Sequence, residues 1–554
     1  MTLAWEPALR LMDTLLENRT VSRIWHRDID AWGAAPGTPA AQSIGSRLGW
    51  LDVARTMAPH VERVSGLGAA AARAGIETVY LLGMGGSSLC AEVLRAVHGI
   101  ASDHPQLVVL DTTDESAVTA AAGRVDPGRT WFVVASKSGG TVEVSSLERF
   151  FWSRMTEAGG AAAGGHFIAI TDPGTALETL ARTRGYRDVF LNPPDIGGRF
   201  SALSLFGLVP AALIGARPGA LLEAAGAMAD GCRQENHANP GLLLGAFISA
   251  GVLNGRDKLT VVLPHSLSSL GLWIEQLIAE STGKHGTGAL PVVDEPLGRP
   301  DEYGHDRLFV AMATDVDAPD GQALHALEEA GHPLLRLSMR LDGLGAEFFR
   351  WEFATAVAGA ALGINPFDEP NVAEAKEKTR AQLATFARNG RFDDPARHAA
   401  APVAATSARF RGDSAGAVVR AAIESLDAGD YVAFLSYLPA SHDIESAVAG
   451  VRLAIRSRCR AASTFGVGPR YLHSTGQYHK GGPDTILAFV LTADDATETA
   501  IPDAGHSFAV LKRAQALGDV ETLEARGRRA VRLHFRNAGT AAADLEHLFA
   551  AALG

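Results

Sequence analysis

From residue 76 onward, apolar residues gather in short runs, each followed by a turn rich in Gly, Ser or Pro and then by a stretch with helical spacing. Thr78–Leu82, Gln106–Leu110, Thr130–Ala135 and His166–Thr171 read as strands. Helical patterns begin at Leu89, at about Asp114 and after Thr141. Strands alternating with helices predict a parallel sheet covered on both faces. After further helices over 201–255, the same grammar returns with strands Lys258–Leu263, Arg307–Ala313 and Pro333–Ser338, and helices Leu270–Glu280, Leu344–Gly363 and Val372–Phe386. Residues 388–415 are rich in Ala, Pro, Arg and Asp and show little periodicity, so they read as a connection. A third series follows: strands Tyr431–Tyr437, Ala461–Phe465, Thr485–Leu491 and Ala530–Phe535, with helices Asp443–Arg458, His506–Leu517 and one at the end of the sequence. Residues 1–75 read as amphipathic helix with a loop near Gly33–Ala41. The expected organisation is α/β: a helical segment over 1–75, α/β domains over 76–215 and 216–395, a linker over 396–415, and a smaller α/β domain over 416–554.

Composition narrows the class. Of 554 residues, 47% are hydrophobic and 20% charged, which excludes wholesale disorder and a coiled-coil or collagen-like chain. A net charge of −12 argues against a nucleic-acid partner. Apolar stretches are interrupted before they could span a bilayer, so no membrane partner is expected. The cysteines Cys90, Cys232 and Cys459 are far apart with no CxxC pair, which suits a reducing cytosol better than disulfides or a cysteine zinc site. The first twenty residues carry acidic groups and lack a signal-peptide core, so a cytoplasmic location is expected.

Two turns carry candidate chemistry. Gly83-Met-Gly-Gly-Ser-Ser88 joins a strand to a helix, where glycines permit close approach and the helix N-terminus favours an anion. Alone it reads equally as a serine-capped turn, and it lacks the signatures of a P-loop or a full dinucleotide fingerprint. Ser136-Lys-Ser-Gly-Gly-Thr141 also follows a strand and adds three hydroxyls and a lysine. Both turns should converge at the C-terminal ends of the strands, where parallel α/β sheets bind ligands, and a hydroxyl-rich cradle suits a sugar phosphate. Glu280 sits near a predicted helix C-terminus, where the dipole raises a carboxyl pKa and suits a base. On that motif alone, a surface Glu before a helix-ending Gly is the simpler reading. Arg199, after Gly197-Gly198, could stabilise a developing oxyanion, or form a surface ion pair.

Together LLGMGGSSL, VVASKSGGTVEV, DIGGRFSALSLFG, WIEQLIAESTGK and GINPFDEPNVAEAK resemble the phosphoglucose isomerase family, in family order from residue 81 to about 380. The resemblance implies two sugar isomerase (SIS) parallel-sheet α/β sandwich domains, here followed by a smaller C-terminal α/β domain. The style resembles the isomerase half of fused transaldolase–isomerase proteins, and the stretch before the first domain is too short for a transaldolase barrel. By the resemblance, Gly86, Ser87, Ser136, Lys137, Ser138 and Thr141 surround the substrate phosphate. Gly198 and Arg199 stand beside the reacting carbons, Glu280 is the base that moves a proton between C1 and C2, and Lys376 stands near the ring oxygen.

Three departures concern individual residues. Glu369 replaces a glutamine common in the family, and Gly140 and Val144 replace hydroxyl residues, so two phosphate-side donors are expected to be missing. A larger one concerns histidine. The family carries a catalytic histidine shortly after the glutamate, in a segment like LHSxGQY, but here Tyr471-Leu-His-Ser-Thr-Gly-Gln-Tyr478 occurs in the third α/β series. We therefore expect His473 to be that histidine, displaced to the C-terminal domain, with His285, His305 and His479 as rivals.

The implied activity is glucose-6-phosphate isomerase, interconverting glucose 6-phosphate and fructose 6-phosphate by ring opening and a cis-enediol(ate). No metal and no cofactor are expected, since the reaction needs only proton transfer. A homodimer is implied. Mannose 6-phosphate isomerisation is one alternative, and a non-catalytic sugar-phosphate sensor is another. The presence of Glu280, Arg199 and Lys376 together argues against a pure sensor.

Overall fold

The computed structural model describes residues 5–398 and 401–554. Residues 1–4 of the expected helical segment and 399–400 of the expected linker lie outside the described residues. The fold is α/β, built around three separate sheets. The first contains β1 (Thr78–Leu82), β2 (Gln106–Leu110), β3 (Thr130–Ala135), β4 (Phe167–Thr171) and β5 (Asp188–Leu191) in the order β2-β1-β3-β4-β5, all parallel. The second contains β6 (Lys258–Val262), β7 (Leu290–Val292), β8 (Arg307–Ala313) and β9 (Leu334–Ser338) in the order β7-β6-β8-β9, again parallel. The third contains β10 (Val403–Thr406), β11 (Tyr431–Ser436), β12 (Ala462–Val467), β13 (Ile486–Ala493) and β14 (Arg529–Phe535) in the order β10-β14-β13-β11-β12, with β10 antiparallel at its edge.

Leaving β10 aside, all three sheets share one winding. The first strand in sequence lies between the second and the third, and the fourth follows outside the third. The chain thus reverses its winding beside β1, β6 and β11, and the crevice at the C-terminal end of such a switch point is where open α/β sheets bind ligands. Central strands are buried on both faces, as all six residues of β3 are, because helices cover both sides.

Residues 403–406 do not act as linker. Val-Ala-Ala-Thr pairs from Val403↔Phe535 to Thr406↔Arg532, closing the edge of the third sheet. β5 and β7 also escape the sequence reading. Both are short edge strands, and β7 contains Pro291, which an edge tolerates because its missing N–H costs no inner ladder bond.

The N-terminal helices, including Glu6–Glu17, Pro39–Gly45 and Val61–Arg73, share one apolar core with the first two sheets and with the helix Leu344–Leu362. Trp25 stacks on Phe349 and Phe353, and Trp32 donates from Nε1 to the Ala356 carbonyl at 2.9 Å. The third sheet has its own core on one face. Its other face shares a core with Ala279, Leu290 and Val292 of the second unit. Polar bonds also join it to the segment after β2: Arg470 grips Asp111 through Nε and Nη2 at 2.7 and 2.8 Å, Lys512 bonds Asp114 at 2.7 Å, and Gln515 accepts from the Thr113 hydroxyl at 2.9 Å. Among the described residues, no helix is long and apolar enough to cross a membrane.

Candidate active site

The two hydroxyl-rich turns lie at the C-terminal ends of β1 and β3. After β1, a tight turn at Gly85–Ser87 leads into the helix Leu89–His98. Its glycines serve close approach, but to the chain itself. A Cβ on Gly86 would stand 2.0 Å from the Gly198 carbonyl oxygen, and one on Gly85, whose φ is +54°, would stand 2.6 Å from the His473 carbonyl oxygen. Glycine here lets two distant segments, bearing Arg199 and His473, close against the first loop. After β3, Ser136 shares a hydrogen bond with Thr141 at 3.1 Å and is buried, so it braces the loop. Lys137 is not a solvated surface lysine: its ammonium is ion-paired to Asp172 and donates to the Pro194 carbonyl at 3.0 Å.

Arg199 is 3% exposed, and bonds fix its guanidinium on several sides. Nε donates to Ser281 Oγ at 2.7 Å, and Nη2 to the Pro366 and Asp368 carbonyls at 2.7 and 2.8 Å. Nη1 reaches Glu280 Oε1 at 3.1 Å and Glu369 Oε2 at 3.2 Å. Glu280 belongs to the helix Leu270–Thr282 and is buried, not on the surface. Its other oxygen accepts from Gln276 Nε2 at 3.0 Å, and the same amide donates to the His473 carbonyl at 2.8 Å. Burial pushes the Glu280 carboxyl above its ordinary range, Arg199 opposes this, and the Glu369 charge adds to the rise. The largest cause is desolvation. For Glu369, burial pulls upward, but Arg199 and Arg47 carry the carboxyl below its usual range. Lys284 braces the loop carrying Glu369 with bonds of 2.5 Å to the Asn365 and Asp368 carbonyls and 2.7 Å to Asp368 Oδ1. Burial, with Arg199 nearby, pushes its ammonium down to about 8.

The tight turn Arg470–His473 brings His473 from the third unit. Its Nε2 lies 2.9 Å from Glu143 Oε1, and Glu143 also accepts from Gln515 Nε2 at 2.7 Å. Burial works to raise the Glu143 carboxyl, but His473, a backbone hydrogen bond and the Lys376 charge together carry the net shift downward. The rivals stand elsewhere. His479 is buried, lies 2.9 Å from the Tyr431 hydroxyl through Nδ1, and is pushed down to about 3 by burial. His285 sits in an exposed turn with φ +52°, and His305 lines a different cavity.

One cavity of about 400 Å³ collects Gly86, Ser87, Lys137, Ser138, Thr141, Gly198, Arg199, Glu280, Glu369, Lys376 and His473. Of the expected site residues, only Ser136 stays behind the wall. Val144 is packed in the apolar core, so a hydroxyl there would not serve this cavity. Gly140 lines a small neighbouring slot instead. Sequence reading missed Glu143, Gln276, Asp172, Lys284 and Arg47. Gln276 lies one helical turn before Glu280 and Asp172 follows β4, so their positions were readable. Nothing local marks Arg47.

A family model described as Phosphoglucose isomerase matches residues 18–299, a span that includes Glu280 and stops short of Lys376 and His473. The glucose-6-phosphate isomerase of Rubrobacter xylanophilus is 28% identical over 355 residues, 54% of this chain and 81% of that protein. That of a Cyanothece strain is 34% identical over 358 residues, 56% of this chain and 67% of its own. Among solved structures, a Thermus thermophilus protein described as hypothetical superimposes with a TM-score of 0.59 at 24% identity, covering 68% of this chain and 96% of that one. A glucose-6-phosphate isomerase from Chlamydia trachomatis gives 0.55 at 20% identity, covering 69% and 86%. At these identities the two structures establish a shared fold.

Proposed function

This chain belongs to the phosphoglucose isomerase family, and from that membership we propose that it interconverts glucose 6-phosphate and fructose 6-phosphate. The observation that carries the reading is the buried Glu280 carboxylate, which shares one cavity with Arg199, Lys376 and His473. In this reading the hydroxyls of Ser87, Ser138 and Thr141, with the backbone at Gly86, hold the phosphate. Distant binding energy then fixes the sugar against the reacting groups. His473, oriented by Glu143, moves the proton that opens the ring, and Lys376 stabilises charge on the ring oxygen. Glu280 takes the proton from C2 of glucose 6-phosphate and returns it to C1. Arg199 stabilises the enediolate oxygen through charge already fixed in place by the Pro366 and Asp368 carbonyls. Burial is what lets a carboxylate beside an arginine remain basic enough to work.

In this reading all the groups named are drawn from one chain. The homodimer implied by the resemblance is a proposal about assembly. The test is turnover of fructose 6-phosphate by purified protein in EDTA, with glucose 6-phosphate followed through a coupled dehydrogenase. Turnover that stays constant per chain on dilution agrees with the one-chain site. Binding of fructose 6-phosphate without turnover would turn the reading toward a sensor.

A further inference from the structure

Two cations of the cavity, Lys137 and Arg47, have no part in the mechanism above, and Lys137 is already ion-paired. Arg47 lies in the N-terminal segment, outside the three sheets, yet it lines the same cavity. Its backbone is pinned there. Leu48 forms an antiparallel bridge with Ile196, and the Gly49 N–H donates to the Asp195 carbonyl at 2.9 Å. The Asp195 carboxylate fills the space a side chain on residue 49 would need, with Oδ1 2.4 Å from a Cβ built there. This delivers Arg47 to the loop that carries Arg199. Nη1 lies 3.7 Å from where a Cβ on Gly197 would stand.

The charges of the cavity identify what is missing. Lys137 is paired with Asp172, and Arg199 with Glu280 and Glu369. Among the described residues, neither the Arg47 guanidinium nor the Lys376 ammonium has an ion-pair or hydrogen-bond partner. Lys376 lines a neighbouring slot together with Thr141, Glu143 and His473, and Arg47 does not. The Arg47 charge acts on Asp172, the partner of Lys137 in the phosphate loop, and on Glu369. A phosphate monoester brings close to two negative charges, and a guanidinium binds such oxygens through paired N–H donors.

We propose that Arg47 is a phosphate-binding residue, supplying the free positive charge that faces the Ser87, Ser138 and Thr141 hydroxyls, while Lys137 shapes the loop through Asp172. The inference rests on the sugar-phosphate reading of the site. The test compares wild type, Arg47→Ala, Arg47→Gln and Arg47→Lys in two ways: calorimetric binding of inorganic phosphate, which needs no turnover, and kinetics with fructose 6-phosphate. Arg47→Ala and Arg47→Gln should each weaken inorganic phosphate binding by about tenfold and lower kcat/KM by about tenfold. Arg47→Lys should recover part of both losses. A raised KM with unchanged phosphate binding would move Arg47 to the sugar hydroxyls and overturn the proposal. So would a fall in kcat alone, which would make Arg47 a modulator of Glu369 and Glu280, and so would a wild type that binds no phosphate. A wild type that binds phosphate without isomerising fructose 6-phosphate would sink the isomerase reading, and Arg47 would still be judged by phosphate affinity.

Discussion

The first and third sheets share one strand order and do opposite jobs. Around the first, the chain after β1 and β3 turns through Gly- and Ser-rich loops, and the crevice at the strand ends is open to a ligand. Around the third, a cavity of similar size is bordered by Phe465, Gly466 and Val467 at the end of β12, while the end of β11 is covered by the chain itself. The turn after β12 packs Tyr471 against Tyr437 at the end of β11, with the two hydroxyls 3.1 Å apart, and carries His473 outward to the first sheet's site. The second sheet contributes through a helix: the one following β6 carries Gln276 and Glu280. In the proposed reading, a winding repeated three times therefore yields a cradle, a base and a delivered histidine. Loop chemistry decides between them, because the sheet supplies only the scaffold and the switch point.

The sharpest break of this division of labour is at the base. Glu280→Gln should lower kcat by about 10³–10⁴-fold while leaving inorganic phosphate binding near wild type, since general-base catalysis contributes on that scale. Calorimetry beside the coupled assay separates the two, and parallel loss of phosphate affinity would make Glu280 a structural member of the cradle. At the delivered histidine, His473→Ala should cost roughly 10²-fold in kcat, with most of the loss in ring opening. Substrate supplied mainly in its open-chain form should show a smaller deficit, and wild-type rates with ring-closed substrate would remove His473 from the mechanism.

The fastening between the two units comes next. Arg470→Ala strips the two bonds from Asp111, which is buried. We expect a loss of about 2–3 kcal/mol in denaturant unfolding, below the usual cost of breaking a fully buried pair because Arg470 keeps partial access to water. Activity should fall along with it as His473 loosens, and unchanged stability would mean the apolar cores alone seat the third unit.

The smallest effect is electrostatic. The Glu369 charge raises the Glu280 carboxyl, so Glu369→Gln should let Glu280 ionise at lower pH and move the acid limb of kcat downward. Removing Arg199, which pulls the other way, should move that limb upward as well as slow the reaction. A limb unmoved by Glu369→Gln would assign it to a different group.

How much of this was readable follows the range of the interactions. Inner strands such as β1, β3, β6, β8, β11 and β13 announce themselves as apolar runs, because burial on both faces leaves few polar positions to blur them. β5, β7 and β10 do not, since an edge strand of three or four residues is made by its neighbour's free hydrogen-bonding edge more than by its own composition. Motif residues were found where they sit together in sequence, as Ser136–Thr141 do. Within those motifs, the jobs of individual residues were not: Ser136 braces, Lys137 is tied to Asp172, and Val144 is core.

The sequence by itself determined the α/β grammar, the two hydroxyl loops, the helix bearing Glu280 and the family motifs that link them, because each is encoded by adjacent residues or by spacing along one element. Only the tertiary structure decided that Glu143 orients His473, that Gln276 ties His473 to Glu280, and that Arg47 reaches the cavity. Those contacts join residues up to 330 positions apart. The physical reason is that burial and pairing are properties of the packed site. The Glu280 carboxyl is raised because water is excluded around it, and no local pattern of residues states which distant segments will do the excluding.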